Sequence, residues 1–286
     1  MKGILLAGGS GTRLYPMTLS ISKQIIPVYD KPMIYYPLST LIASGINDIL
    51  VITTQKDLPL FKFLLKNGSQ WGCNISYTIQ QKPNGIAEAF ILAEDFIGED
   101  NVALILGDNI FYFPSLIDVI SDSIQTQGST IFAYHVANPS RYGVVEFTDS
   151  NQILSIEEKP QEPKSHYAIP GFYFFDSNVA TFAKQLKPSQ RGELEITDLI
   201  LQYHRKNNLK VIKMDKGTAW LDTGTVNSLM NAGQFVQVLE RRQGLKVGCV
   251  EEQAYLMNYI DGQQLKKIAS QFNNSYGEYL NSLLDG

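Results

Sequence analysis

Three glycines and a guanidinium follow the first apolar run of the chain, Gly3-Ile4-Leu5-Leu6-Ala7-Gly8-Gly9-Ser10-Gly11-Thr12-Arg13. Glycines at a strand exit let backbone N–H groups approach an anion closely, and Arg13 can neutralise it with a fixed fork of donors. Lys23, ten residues further on, can supply a second cation. Asp108, in Gly107-Asp108-Asn109, and Asp222, in Trp220-Leu221-Asp222-Thr223-Gly224, offer hard carboxylate oxygens. If the two carboxylates meet, they suit Mg2+, which takes oxygen ligands, keeps waters and bridges phosphates. Phosphate chemistry is the common theme. Each piece taken alone also has a plain structural reading: a tight turn, a surface ion pair, or an aspartate capping a turn.

Two familiar phosphate motifs are incomplete. Gly9-Ser10-Gly11 starts a dinucleotide fingerprint, but Leu14 stands where the third glycine belongs, and no GK[ST] ending follows for a Walker loop. Glu157-Glu158-Lys159-Pro160 fits a charged strand end, and Arg191-Gly192-Glu193-Leu194-Glu195-Ile196-Thr197-Asp198 fits an acidic helix entrance. No Ser/His/Asp or Cys/His nucleophile set is assignable from local context, and His135, His166 and His204 lack ligand spacing. With 24 basic and 28 acidic residues, the net charge of -4 argues against a nucleic-acid-coating surface. Any cationic site is therefore a confined cleft. Cys73 and Cys249 form no disulfide framework or zinc pattern. No continuous apolar run reaches about 18 residues and no signal-like start is present, so no membrane contact and a cytoplasmic location are expected.

The positioning elements alternate in the first half. Strands are expected at Gly3–Ala7, Asp48–Thr53, Ile75–Ile79 and Val102–Leu106. Helices are expected from Asp30, with Asp30 as cap and Pro32 in the first turn, and at Pro59–Lys66 and Gly85–Ile97. Ile34, Leu38, Leu41 and Ile42 supply the apolar face of the first helix. Such alternation implies parallel strands covered by helices, with Asp108 at the ligand-binding edge. After a helix near Ser115–Thr126, strands at Thr130–Val136, Gly143–Phe147, Ile153–Glu157 and Tyr167–Phe175 imply a mixed, β-rich extension. Helices follow at Asn178–Leu186 and Ile196–Lys206, with a strand at Leu209–Met214. From about Val226 the chain is helical, and Phe235, Val236, Leu239, Ala254, Leu256, Ile260, Leu265 and Ile268 face either the core or another subunit.

The ordered set LAGGSGTRLYPMT, SKQIIPVYDKPMIYYPLSTL, GDN, RYGVVEF, EEKP, RGELEITD and AWLDTGT resembles the sugar nucleotidyltransferases, most closely the glucose-1-phosphate thymidylyltransferases, over essentially the whole chain. The resemblance implies an α/β fold: a three-layer αβα, dinucleotide-binding-like core with a mixed, mainly parallel sheet, a sugar-binding β-rich extension and C-terminal helices. It divides the chain into a core at 1–225 and a helical extension at 226–286, an oligomer or regulatory interface. The implied reaction joins dTTP and α-D-glucose 1-phosphate to give dTDP-glucose and pyrophosphate, with Mg2+ as cofactor.

Carried over residue by residue, the resemblance places Gly8, Gly9 and Gly11 around the nucleotide, and Arg13 and Lys23 at its phosphates. Gln80 and Gly85 would read the base, Gln80 offering a donor and an acceptor. Asp108 and Asp222 would hold Mg2+. On the sugar side stand Gly143, Glu158, Lys159 and Tyr173, with Lys159 and Arg191 clamping the phosphate. Ile169-Pro170, Ile86 and Glu88 depart from the family's usual wording. A homotetramer and feedback by dTDP-rhamnose are also implied. A uridylyltransferase, a noncatalytic nucleotide-sugar sensor and a Rossmann oxidoreductase are the rival readings, the last weakened by its incomplete signature.

Overall fold

A computed structural model describes residues 1–9, 11–113 and 127–285. The helix expected near Ser115–Thr126 lies outside the described residues. In chain order the strands are Lys2–Ala7 (β1), Pro27–Val28 (β2), Lys31–Pro32 (β3), Asp48–Thr53 (β4), Asn74–Ile79 (β5), Val102–Leu106 (β6) and Asn109–Tyr112 (β7). They continue with Ser129–His135 (β8), Gly143–Phe147 (β9), Ile153–Glu158 (β10), Tyr167–Ala168 (β11), Phe172–Phe175 (β12), Leu209–Lys213 (β13) and Ala219–Asp222 (β14).

Ten strands form one sheet in the order β10-β9-β11-β8-β12-β6-β1-β4-β5, with β13 joined to β8 off that path. The half β6-β1-β4-β5 is parallel throughout. β12 runs antiparallel to β6 and begins the mixed half. β1 shows why its position is central: Leu5 and Ala7 enter one core, while Ile4 and Leu6 enter the other. Apolar residues on both faces are what a strand covered by helices on each side requires. The helix Tyr35–Ala43 packs Leu38, Leu41 and Ile42 into the first core; Phe90, Leu199 and Ile200 help fill the second.

The C-terminal helices are not a separate layer. Cys249, Val250, Ala254, Leu265, Ile268 and Leu280 share the first core with Leu5 and Leu41. Buried Glu251 ties them down, accepting from Trp71 Nε1 at 3.1 Å and from Tyr276 Oη at 2.6 Å. Leu256 departs from the expected inward face and is 60% exposed.

Three local expectations are corrected. Asp30 does not cap a helix: it precedes the two-residue strand β3, and the helix begins at Tyr35. Its carboxylate is engaged instead by Lys31 and Lys246. The segment 85–97 holds two short helices, Glu88–Leu92 and Glu94–Ile97. Tyr167–Phe175 is two strands, because Pro170 lacks a ladder donor and Gly171 N–H is drawn to Asn109 Oδ1 at 3.0 Å. β7 and β14 are strands that the sequence pattern does not announce.

A buried ionic cluster joins β3 to the long helix Val226–Gln243. Lys31 Nζ reaches Glu240 Oε1 at 3.1 Å and the Val247 carbonyl at 3.0 Å, and Lys246 Nζ reaches Glu240 Oε2 at 2.8 Å. Val247 N–H also donates to Glu240 Oε1 at 2.9 Å. Because Glu240 serves three donors, Glu240→Gln strips the charge from a buried hub. It is expected to lower stability by about 3 kcal/mol in urea unfolding; an unchanged midpoint refutes that role.

Candidate active site

The strand exits converge on one cleft. β1 delivers Gly8, Gly9, Gly11 and Arg13. Gly9 (φ 106°) and Gly11 (φ 60°) occupy the left-handed region that favours glycine, and Gly11 starts the 3-10 turn Thr12–Leu14. Leu14, in the place of a third fingerprint glycine, is buried and packs inward. β6 ends at Leu106, two residues before Asp108, and β14 ends at Asp222.

The pairing of β7 with β14 answers whether the two carboxylates meet. Asp222 lies opposite Asn109 in the antiparallel register, which sets Asp222 beside the neighbour of Asp108. Thr223 adds its hydroxyl to the Asp108 carbonyl at 2.8 Å. Both aspartates line a cavity of about 210 Å3, together with Arg13, Gly143, Glu158, Lys159 and Tyr173. A second cavity of about 320 Å3 is lined by Gly8, Gly9, Gly11, Lys23 and Pro83. Arg13, Asp108 and Gly224 belong to both walls.

Charge is arranged in opposed pairs. Lys23 Nζ sits 2.5 Å from Asp108 Oδ2, and Asn109 Nδ2 donates to Asp108 Oδ1 at 2.8 Å. Burial alone would raise the Asp108 pKa, but the Lys23 ammonium and these hydrogen bonds hold it below its ordinary value. Arg141 Nη2 meets Asp222 Oδ2 at 3.1 Å. Among the described residues no three His, Cys, Asp or Glu side chains gather to hold a metal. Two aspartates on one cleft are nevertheless the donor set that suits Mg2+, which binds through one or two carboxylates plus phosphate oxygens and waters.

In the first cavity, Glu158 Oε1 is 3.2 Å from Lys159 Nζ, and Thr197 donates its hydroxyl to Oε2. Lys159 holds a left-handed φ of 42°, with its N–H on the Tyr142 carbonyl at 3.0 Å. Tyr173 is buried, and that burial, with Glu158 and Asp108 nearby, pushes its phenol pKa well up, so it stays protonated. A Cβ on Gly143 would lie 3.3 Å from Thr197 Oγ1 and 3.5 Å from Glu158 Oε2. Arg191, expected as a phosphate clamp, stands 3.5 Å from Glu158 of the cavity wall. It grips Glu195 through Nε at 3.1 Å and Nη2 at 2.6 Å, stands 3.1 Å from Glu193, and does not line the cavity.

Gln80 and Gly85 also differ from expectation in what they offer. Gln80 Nε2 donates to Glu88 Oε2 at 2.7 Å and toward the Gly85 carbonyl at 3.4 Å. A carboxylate can only accept, so the amide nitrogen is committed to that side. Oε1 then faces Gly8, where a Cβ would lie 2.9 Å away. Gln80 presents an acceptor, not a donor and acceptor together. The close approach that Gly85 permits is to Leu194, whose carbonyl would be 2.3 Å from a Cβ there.

Arg141, Asn109, Thr197 and Trp220 complete the site without having been singled out from sequence. Arg141 and Thr197 lay inside quoted motifs and carried no local mark of their contacts. Asn109 had a signal: an amide following a strand-end aspartate can buttress it, and here it does.

The Lys23–Asp108 pair makes a pH-dependent prediction. A carboxylate whose folded pKa is depressed contributes stability above its unfolded value, near 3.8, and loses it as pH falls through the folded value. Lys23→Met leaves a partly buried carboxylate uncompensated, which raises its folded pKa instead. The variant is expected to be about 2 kcal/mol less stable at pH 7. That deficit should shrink as pH falls through the raised value toward 3.8. A deficit independent of pH, measured by urea melts, contradicts the pairing.

The profile of the family described as Nucleotidyl transferase matches residues 2–238. A glucose-1-phosphate thymidylyltransferase of Mycolicibacterium smegmatis is 55% identical over 286 residues, covering 100% of this chain and 99% of that protein. One from Neisseria meningitidis is 54% identical, covering 99% of each. A Bacillus anthracis structure, assigned provisionally to the same activity and holding sucrose, superposes with a TM-score of 0.77 at 42% identity, covering 82% of this chain and 94% of that one. A UDP-glucose pyrophosphorylase bound to UDP-glucose shares the fold, with a TM-score of 0.73 at 23% identity over 83% of this chain and 98% of that one. With a cleft of paired carboxylates and converging cations, and relatives this similar along its whole length, this chain belongs to the nucleotidyl transferase family and, within it, to the glucose-1-phosphate thymidylyltransferases.

Proposed function

We propose that this chain transfers dTMP from dTTP to α-D-glucose 1-phosphate, giving dTDP-glucose and pyrophosphate. The observation that carries the reading is the shared wall: Arg13 and Asp108 line both cavities, so two phosphate-bearing substrates placed in them would meet there. An oxygen of the sugar phosphate attacks the α-phosphorus in line. The new P–O bond forms as the bond to the bridging oxygen breaks, and that electron pair leaves with pyrophosphate. The attacking phosphate is already an anion, so no protein nucleophile or strong base is needed. Catalysis then comes from alignment and from cations aimed at the developing charge.

Arg13 and Lys23 would neutralise the triphosphate, and Lys159 the sugar phosphate. Glu158, an acceptor, would take hydrogen bonds from sugar hydroxyls, while the protonated Tyr173 phenol closes the pocket floor. Asp108 and Asp222 would hold Mg2+, which when bound supplies further neutralisation of phosphate charge. Arg191, engaged by Glu195, would orient the RGELE segment that backs Gly85. A homotetramer, feedback by dTDP-rhamnose and a cytoplasmic location belong to the same proposal.

Pyrophosphate release with dTTP and glucose 1-phosphate is the direct test, run beside UTP, dCTP and other sugar 1-phosphates. Arg13→Ala and Asp222→Asn are each expected to cut kcat about 100-fold while the fold is kept. Normal saturated turnover in either variant refutes the assigned role. Tight binding of dTDP-glucose with no pyrophosphate from any pair would instead support a sensor.

Base choice gives a second expectation. Gln80, held as an acceptor by Glu88, meets the N3–H of thymine or uracil, whereas cytosine offers a lone pair at that position. The kcat/KM for dTTP should exceed that for dCTP by at least about 100-fold. Glu88→Ala, which frees the amide to rotate, should erode that ratio mainly through KM. An unaltered ratio removes Glu88 from base selection.

A further inference from the structure

Asp108 and Asp222 each already carry a cation from elsewhere in the chain, and the two pairs differ in enclosure. The Lys23 side chain on Asp108 is 9% exposed, whereas the Arg141 side chain on Asp222 is 39% exposed. A pair as open as the second contributes at most about 1 kcal/mol, so a stronger partner can exchange it. Gly224 marks the crowding there. A Cβ on it would lie 3.1 Å from Asp222 Oδ2 and 3.5 Å from both Arg13 Nη1 and Arg141 Nη2. Two guanidiniums therefore flank Gly224 beside this carboxylate, with Arg141 as its recorded ion-pair partner, and Arg13 adds positive charge at the junction of the two cavities.

We infer that Arg141 is an exchangeable counter-ion of Asp222. It shields Asp222 from a bare divalent cation and transfers to phosphate oxygens when the nucleoside triphosphate arrives, which frees Asp222 for the accompanying metal. The inference rests on the nucleotidyl-transfer reading of the cleft. Arg141 is then a positioning residue that couples metal to nucleotide: the metal gains affinity when the triphosphate takes the guanidinium, and by linkage the triphosphate gains as much from the metal. Because Lys23 holds Asp108 in the same manner but more tightly, a cation entering alone meets two neutralised carboxylates.

A Mn2+ titration followed by the electron-paramagnetic signal of the free ion, with neither nucleotide nor sugar phosphate present, tests the coupling. Arg141→Gln should bind Mn2+ about fivefold more tightly than the wild type. Adding Asp222→Asn to that variant should abolish the gain. Arg141→Met gives the same readout with the side-chain stem kept and no amide to recruit a new partner. Neutral variants with native circular dichroism and Mn2+ affinity no higher than wild type overturn the inference and leave Arg141 a static brace. No substrate is present, so an enzyme inactive in nucleotidyl transfer still gives a readable titration. An unchanged titration, in turn, leaves the transfer reading intact.

Discussion

The site depends on one short strand pairing. β7 and β14 run antiparallel with Asp222 opposite Asn109, and the Thr223 hydroxyl on the Asp108 carbonyl at 2.8 Å fastens the same end. Asn109 makes the pairing specific. Its Oδ1 accepts from Trp220 Nε1 at 2.7 Å and from Gly171 N at 3.0 Å, while Nδ2 donates to Asp108. One buried amide thus ties β14, the start of β12 and Asp108 together. Its loss would strand two buried N–H donors, each costing about 1–3 kcal/mol. Gly171 must be glycine for the same reason: a Cβ there would stand 2.4 Å from Leu106 Cδ1 and 2.8 Å from Asn109 Oδ1.

The electrostatics follow from this geometry. Two aspartates held near each other repel unless cations intervene, and Lys23 and Arg141 come from distant segments to do so. The Lys23 ammonium keeps Asp108 ionised despite its burial, and the two pairings also keep both cations from scattering into solvent before phosphate is present. Arg191 shows the opposite arrangement. With Glu193, Glu195 and Glu158 within 3.5 Å, its charge is shared among three carboxylates of the chain. Its sequence setting could not reveal that, because the two acidic neighbours that claim it were equally consistent with a helix entrance.

The parallel half of the sheet was legible because its signals are local. β1, β4 and β6 are continuous apolar runs ending in glycine or polar residues, and the helix Tyr35–Ala43 carries its buried Leu38, Leu41 and Ile42 at helical spacing. What escaped depended on partners far along the chain. Asp30 reads as a helix cap until Lys246 competes for its carboxylate. Ala219–Asp222 is too short for its alternation to be distinctive, and only Asn109–Tyr112, over a hundred residues away, makes it a strand. Glu88 reads only as a departure from the family's wording until Gln80 and Asn84 both donate to it at 2.7 Å. In each case the deciding interaction is nonlocal and polar, and a pattern of apolar spacing contains no record of it.

The glycine loop at residues 8–11 gains its meaning from the same nonlocal contacts. Backbone freedom there would serve any anion, and Arg13 alone does not choose one. The choice is made by what lies across the wall. Gln80 sits behind Gly8 with only an acceptor to offer, Lys23 stands on Asp108, and beyond Arg13 the second cavity begins with Glu158 and Lys159. A dinucleotide site for hydride transfer would have its third fingerprint glycine where Leu14 stands, and a simple triphosphatase would need only one cavity. Two cavities joined at a guanidinium and a carboxylate instead hold two anions end to end, which is the arrangement that a direct transfer between phosphates requires.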